Sequence, residues 1–402
     1  MARRWPSILT LLAFAWWVRA ALTTGKPLDY HLDAAPAIDA LARLDLGAFL
    51  HSTALMGPVS LIVRAPFAAL AGGDDLLAYR LGALPCLAAM AVLLYVLLRR
   101  IQAGGHPAFA GVAIAALFAI DPFVGAALTR GHPEDILGGA LCVLAVLAAG
   151  AGRPWAATVV LGLALTTKQW AIVAIIPTLL AAPARRWTIA LGAGGIAMAL
   201  TAPFLLASAS RFSESAKALS TVNSWIAPPN VWWPLAQRTS HQAFDGVGMR
   251  TVYDYSLPSV LNPVPHALIV IVAVALGAAL WVRIPRPSLD QALGLLALVF
   301  LLRCALDPWN NIYYHVPFLL ALFARDAVAV PRRPLAAAIG LAFVWLTFAR
   351  VWPASQGRPD VVFAFYAAWT AAFAAWLAVS VFAPGCLPVL GARRGALALS
   401  PR

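Results

Sequence analysis

Charged side chains are scarce in this chain, at 11% of 402 residues, where a soluble domain carries about 25%. That scarcity excludes an ordinary water-soluble globule. Long polar stretches are missing as well. The longest, Ser208–His266, is a loop-sized insertion, so there is no room for a separate soluble domain. Cysteine is rare too. Cys86, Cys142, Cys304 and Cys386 lie far apart, within or at the ends of apolar runs and without CxxC spacing, which favours small packing residues over a disulfide or metal framework. No GxGxxG turn and no P-loop is found, so a nucleotide-binding fold is not expected.

Apolar sequence fills the space. The chain is 62% hydrophobic, and runs such as Leu87–Leu98, Ile136–Ala149 and Leu335–Phe348 recur along its length. This composition predicts an all-α, polytopic membrane protein forming a single integral domain over residues 1–402. The net charge of +13 invites a nucleic-acid reading. The basic residues, however, sit in small pairs between apolar runs, the positive-inside pattern, so no nucleic-acid partner is expected.

Those pairs set a topology. Arg3 and Arg4 precede the apolar stretch Trp5–Val18. Val18-Arg19-Ala20 is a poor cleavage site because of Arg19, so an uncleaved first span is expected. Further spans follow at Leu76–Leu98, Pro107–Leu128 and Ile136–Gly150. The stretch Trp155–Ala182 is flanked by Arg153 and by Arg185-Arg186, so a hairpin of two short helices, with Lys168 at its outer tip, keeps both basic flanks inside. Its second arm has about 14 residues, or roughly 21 Å, short of the roughly 30 Å hydrocarbon core; short helices are tolerated where they line a cavity. Trp187–Ala207, His266–Val282, Leu289–Leu306, Ile312–Val330, Leu335–Trp352 and Val361–Ala383 complete about twelve crossings, with both termini cytoplasmic in the cell membrane. The outer loops are then 25–75, 129–135, 208–265 and 307–311, and a cytoplasmic tail spans 385–402. The apolar stretch Ala54–Ala71 contains Pro58, Arg64 and Pro66 and would break the parity as a span, so it reads as an interfacial helix on the outer surface.

Of the sixteen acids, all but Asp290 and Asp326 fall on the outer side of this topology. Acids contribute little to orientation, so the outer face has another use for carboxylates. Its first loop holds Asp29, Asp33, Asp39 and Asp45, with His31 and His51. Asp33 could simply cap a helix over Ala34–Leu44; a carboxylate just above the bilayer is equally suited to general-base work. The second loop, Arg130-Gly131-His132-Pro133-Glu134-Asp135, reads either as a turn whose acids favour the next helix N-terminus or as a metal or sugar ligand set from His132, Glu134 and Asp135. Lys168 has no acid near it in sequence. It either snorkels to the interface or faces a phosphate. Arg303 through His315 packs Asp307, Trp309, Asn310, Asn311, Tyr313 and Tyr314 at an outer boundary. Aromatic belts are ordinary there, but His315 and the asparagines exceed what a belt needs and suit a donor cluster for a lipid phosphate. The long loop adds Trp225, Trp232, Trp233, Tyr253 and Tyr255, with Asn223, Asn230 and His241, which fit sugar rings and interfacial anchoring alike.

Taken in order, these motifs resemble the GT-C glycosyltransferases, specifically the bacterial mannosyltransferases that use polyprenyl-phosphate-linked sugars. The likeness rests on Asp29 soon after the first span with Asp45 beyond it, on Gly57-Pro58 through Ala65-Pro66-Phe67, and on Gly131-His132-Pro133-Glu134. It also rests on Gly162-Leu163-Ala164-Leu165-Thr166-Thr167-Lys168 and on Asp307-Pro308-Trp309 through Tyr313-Tyr314-His315-Val316-Pro317. It covers most of the chain loosely, and order and membrane side carry it. Asp33 stands where the branch often has an aromatic residue, and His132 where it often has Gln.

The resemblance implies an inverting transfer of a sugar, mannose in that branch, from a polyprenyl-phosphate donor to a hydroxyl of a lipid or glycan acceptor, among membrane lipids. Asp29 or Asp33 would be the general base. Lys168, His315 and Arg303 would hold the donor phosphate; His132, Glu134, Tyr313, Tyr314 and Asn311 would contact substrate. No cofactor is required, and a divalent metal is optional. Two rival readings are a secondary transporter, for which no internal repeat is found, and a lipid-linked polymer ligase or assembly protein, whose decisive groups would sit in the large loop.

Overall fold

The structure, a computed structural model, describes residues 4–386 apart from Lys26, 223–225, 245–248 and Gln356. Arg3, Asn223, Trp225 and most of the tail, with Arg393 and Arg394, lie outside the described residues. Helices begin where proline or a polar cap precedes an apolar run. The first is α1 (Trp5–Thr23). Four short helices follow, α2 (Leu28–Asp33), α3 (Ala35–Ala42), α4 (Leu46–Leu50) and α5 (Pro58–Ala69), before the long α6 (Asp75–Ala103). Asp45 caps α4 by accepting from the Ala48 N–H at 2.9 Å, and Asp74 caps α6 through Leu77 at 2.8 Å.

The next apolar stretch is bent. Asp121 and Pro122 divide it into α7 (Ala108–Ile120) and α8 (Pro122–Arg130). Proline has no N–H to give the carbonyl of Phe118 four residues back; Trp17 Nε1 donates to that oxygen instead, at 3.3 Å. Then come α9 (Pro133–Gly150), α10 (Pro154–Leu165), a 3₁₀ turn at Gln169–Ala174 running into α11 (Ile175–Ala181), α12 (Arg186–Ala207) and α13 (Ala209–Val222). An antiparallel hairpin, β1 (Gln237–Phe244) and β2 (Met249–Ser256), pairs Gln237 with Ser256 and Phe244 with Met249. The chain ends with α14 (Val264–Arg283), α15 (Leu289–Leu306), α16 (Val316–Ala329), α17 (Leu335–Trp345), the single turn α18 (Trp352–Ala354) and α19 (Pro359–Phe382).

Among the described residues, ten helical stretches are long and apolar enough to cross a membrane, which makes this an all-α multi-pass membrane protein. The predicted pair of short helices is also present, as α10 and the Gln169–Ala181 stretch, with Lys168 between them. Burial sorts the bundle. Pro133–Gly150, Leu289–Leu306 and Ile312–Ala329 are each 78% buried and form its centre, whereas Arg186–Ala207 is 11% buried and lies at the rim.

Two expectations change. Asp33 does not cap a helix: α2 runs through it, and α3 starts from Ala34 with no side-chain cap. The 208–265 insertion, read as a loop, contains α13 and the β-hairpin. Between them a strap at 226–236 covers the end of α15. It pairs with that end's free carbonyls, Val231 N–H to Ala305 at 3.0 Å and Trp232 Nε1 to Leu306 at 2.6 Å. Trp233 Nε1 ties the strap to Asp360 at 2.7 Å.

Gly131 ends α8 at a left-handed φ of 95°. A Cβ there would sit 2.7 Å from the backbone nitrogen of Tyr30, so α2 lies directly on the α8–α9 corner. Gly131→Ala is therefore expected to cost at least about 1 kcal/mol and to lower the thermal melt of detergent-solubilised protein by several degrees. An unchanged melt would show that α2 is not seated on that corner.

Candidate functional site

Seating α2 on the corner brings Asp29 to His132. The His132 ring bonds two carboxylates, Asp29 Oδ2 from Nε2 at 3.2 Å and Glu134 Oε1 from Nδ1 at 2.9 Å. Carboxylates only accept, so each ring nitrogen carries a proton and the ring is an imidazolium. Burial alone would push the ring toward neutrality, but the bonds to Asp29 and Glu134 outweigh it, and its pKa is pushed up to about 9. Asp29 is held below its ordinary value by the bond from His132, against a smaller opposing effect of burial. The face of His132 stacks on Tyr313 at 4.6 Å.

Glu134 is fully buried in the first turn of α9. Its other oxygen takes Arg64 Nη1 of α5 at 3.2 Å, and Lys168 Nζ lies 3.1 Å from Oε1. Lys168 also approaches Asp135 Oδ2 at 3.7 Å, and Asp135 Oδ1 accepts from Trp170 Nε1 at 3.1 Å. Trp170 in turn lies under the Arg303 guanidinium, 5.3 Å from the ring centroid, and Arg303 pairs with Asp307 at 3.7 Å and donates to the Tyr314 carbonyl at 3.2 Å. Leaving out that outer Arg303–Asp307 pair, the ion-paired groups are three acids, Asp29, Glu134 and Asp135, and three cations, Arg64, Lys168 and protonated His132; Asp33 and Arg130 act on the cluster without pairing in it and add one charge of each sign, so the charges balance.

The structure thus joins Asp29, His132, Glu134 and Lys168, and adds Tyr313, Tyr314 and Arg303 at the edge. Lys168, read as lacking an acid, has two. Its partners stand more than thirty residues earlier in the chain, which no local pattern reveals. The Asp33 side chain makes no hydrogen bond or ion pair among the described residues; burial raises its pKa, against the pull of His132 and Lys168. His315 stands apart, fully buried, with Nε2 3.1 Å from the Tyr366 hydroxyl and its ring against Phe348 of a π-helical turn at Leu346–Val351. Asn311 uses its side-chain oxygen to cap Ile312 at 3.3 Å. Glu134, expected to contact substrate, has no exposed surface and gives its oxygens to Arg64, His132 and Lys168. Arg64 went unassigned in the sequence; the signal for it was an arginine inside an apolar stretch.

His132, Glu134 and Asp135 offer ligand atoms within 4.8 Å of one another, a spacing that suits a cation. In the structure Arg64 and Lys168 already supply positive charge to the two acids. Beside the cluster, Leu50, Met56, Leu61, Leu165, Thr166 and Phe204 line part of a mainly apolar cavity of about 250 Å³. The first turn of α5 forms one wall, held against the Lys168 segment by Gly57 N–H to Thr167 O at 3.1 Å and Val59 N–H to Thr166 O at 3.0 Å.

The raised histidine has a stability signature. Its contribution is complete below the ordinary histidine pKa of about 6.5 and is lost as pH rises through about 9, and the shift amounts to roughly 3 kcal/mol. The melting temperature is expected to fall from about pH 7 to pH 10, and to fall less in His132→Gln. Equal slopes would mean that the ring is neutral in the folded protein.

No curated protein and no solved structure matches this chain. The family model of Glycosyltransferase family 87 matches residues 55–308, well over half of the chain and including Arg64, His132, Glu134, Lys168 and Arg303. The chain belongs to glycosyltransferase family 87.

Proposed function

We propose that this membrane glycosyltransferase transfers a sugar, mannose by the resemblance noted above, from a polyprenyl-phosphate donor to an acceptor hydroxyl, with inversion. The observation that carries this reading is Asp29, whose partly exposed carboxylate is the accessible end of an otherwise buried, charge-balanced cluster. One oxygen is fixed by His132, which orients the other toward an incoming hydroxyl.

In the step proposed, the acceptor oxygen attacks the anomeric carbon as its proton passes to Asp29. The bond from that carbon to the phosphate oxygen breaks, and its electron pair leaves with the lipid phosphate. Protonating Asp29 turns the balanced cluster one unit positive. The departing phosphate gains one negative charge in the same step, so the cluster complements the charge that develops. Lys168, 13% exposed, is the cation placed to meet it. Arg303 supports the Trp170–Asp135 edge, and Tyr313 backs His132. Asp33, left unpaired, is available to sugar hydroxyls. The apolar cavity beside Lys168 supports a lipid-linked donor, since an isoprenoid chain suits its lining. The cluster itself requires no cofactor, and a metal remains optional.

The basic residues between spans support an orientation in the membrane. Arg99-Arg100, Arg153, Arg185-Arg186, Arg283 and Arg332-Arg333 fall at the helix ends opposite the site. By the positive-inside rule both termini are cytoplasmic in the cell membrane and the site is extracytoplasmic.

Membranes containing the protein, supplied with radiolabelled polyprenyl-phosphate mannose, test the reading. Asp29→Asn is expected to lower transfer by roughly 10²–10⁴-fold, the range for loss of a general base, while Asp33→Asn leaves measurable transfer with a raised KM. Transfer that persists at the wild-type rate in Asp29→Asn would remove the assignment.

A further inference from the structure

Arg64 has no exposed surface, so it cannot touch a substrate. Its surroundings are nonetheless specific. Nη1 meets Glu134 Oε2 at 3.2 Å and Met56 Sδ at 3.8 Å. The guanidinium lies over Tyr30, 5.2 Å from the ring centroid, and beside Tyr79, at 6.0 Å. Nε and Nη2 have no hydrogen-bond partner among the described residues; the two aromatic rings stand in their place. The backbone of α6 closes in from behind, because a Cβ on Gly82 would come 3.8 Å from Nε.

These contacts reach Asp29 by two independent routes. Tyr30 is its neighbour on α2, and Glu134 holds His132, which holds Asp29. Lys168 reaches the same carboxylate only through Glu134. We infer that Arg64 is a positioning residue that fixes the Asp29 carboxylate from both sides, through the Tyr30 ring and through the Glu134–His132 pair. This inference rests on the reading of Asp29 as the base. It adds that the short helix α5, through an Arg64 sealed from substrate, sets the geometry of the step. A buried arginine with one ion pair and two ring faces is costly to desolvate; that cost is explicable where the position of the carboxylate matters.

Two measurements on the full-length protein in lipid nanodiscs test this, one of them independent of activity. The first maps labelling of Asp29 by dicyclohexylcarbodiimide, read by mass spectrometry. In the wild type the bond from His132 protects Asp29; in Arg64→Met labelling is expected to rise several-fold. The second is steady-state transfer from polyprenyl-phosphate mannose. Arg64→Met is expected to lower kcat at least about tenfold with donor KM within about threefold, and Arg64→Lys to recover part of the rate. The double variant Arg64→Met/Glu134→Gln is expected to be slower than Glu134→Gln alone, because the Tyr30 route goes as well, but by less than the two single losses multiplied, because the Glu134 route is shared.

Unchanged labelling and unchanged kcat in Arg64→Met would overturn the inference, as would losses that multiply in the double variant. Where Arg64→Met does not fold, Tyr30→Leu removes the ring route and keeps the ion pair, and it too must raise Asp29 labelling. A wild type that transfers no sugar would end the functional reading while leaving the labelling result to decide the role of Arg64.

Discussion

A carboxylate with no exposed surface organises this end of the bundle. Glu134 sits in the first turn of α9, where the helix N-terminus already favours negative charge. That alone does not offset desolvation, and the fold brings three cationic groups to its two oxygens: Arg64, Lys168 and His132. Removing one partner from such a buried pair costs about 3–5 kcal/mol. Each partner belongs to a different piece of chain: Arg64 to α5, Lys168 to the tip between α10 and Gln169, His132 to the α8–α9 corner. Satisfying Glu134 therefore fixes three segments at once, and α2 follows because Asp29 caps the far side of His132.

Around this centre the backbone finds partners within the protein. The α15 end would expose carbonyls, and the 226–236 strap covers them. The α7–α8 break frees the Phe118 carbonyl among others, and Trp17 takes that one. Asn230 and Asn310 exchange bonds across the strap, Asn230 Nδ2 to the Pro308 carbonyl at 3.0 Å and Asn310 Nδ2 to the Pro229 carbonyl at 2.5 Å. Such closure is obligatory where the surroundings are apolar. It also seats the strap over the Arg303–Tyr314 edge of the cluster.

Charge balance links structure to reaction. In the transfer proposed, a cluster that is neutral at rest and gains one positive unit when its exposed acid is protonated would match the charge change of a leaving lipid phosphate. Most of the cluster is buried, so its charges are weakly screened, and their positions are set before substrate arrives. Family membership establishes the reaction class, glycosyl transfer. The cluster's geometry is what motivates the choice of base and donor.

By itself the sequence determined the membrane class, the succession of spans and the paired short helices around Lys168, because hydrophobic run length and flanking charge are local quantities. It also singled out Asp29, His132, Glu134 and Lys168, since ionisable residues are conspicuous in so apolar a chain. Only the tertiary structure decided their partners. Arg64 and Glu134 are far apart in the chain, and so are Lys168 and Glu134; pairing across such separations depends on helix packing, which leaves no periodic trace. The same packing buried His315 away from the cluster, made Asp33 helical rather than a cap, and turned Arg64 inward from a helix whose composition alone placed it at the interface. Length and charge along the chain are fixed by the order of residues, whereas which charges meet is fixed by how the helices lie against one another.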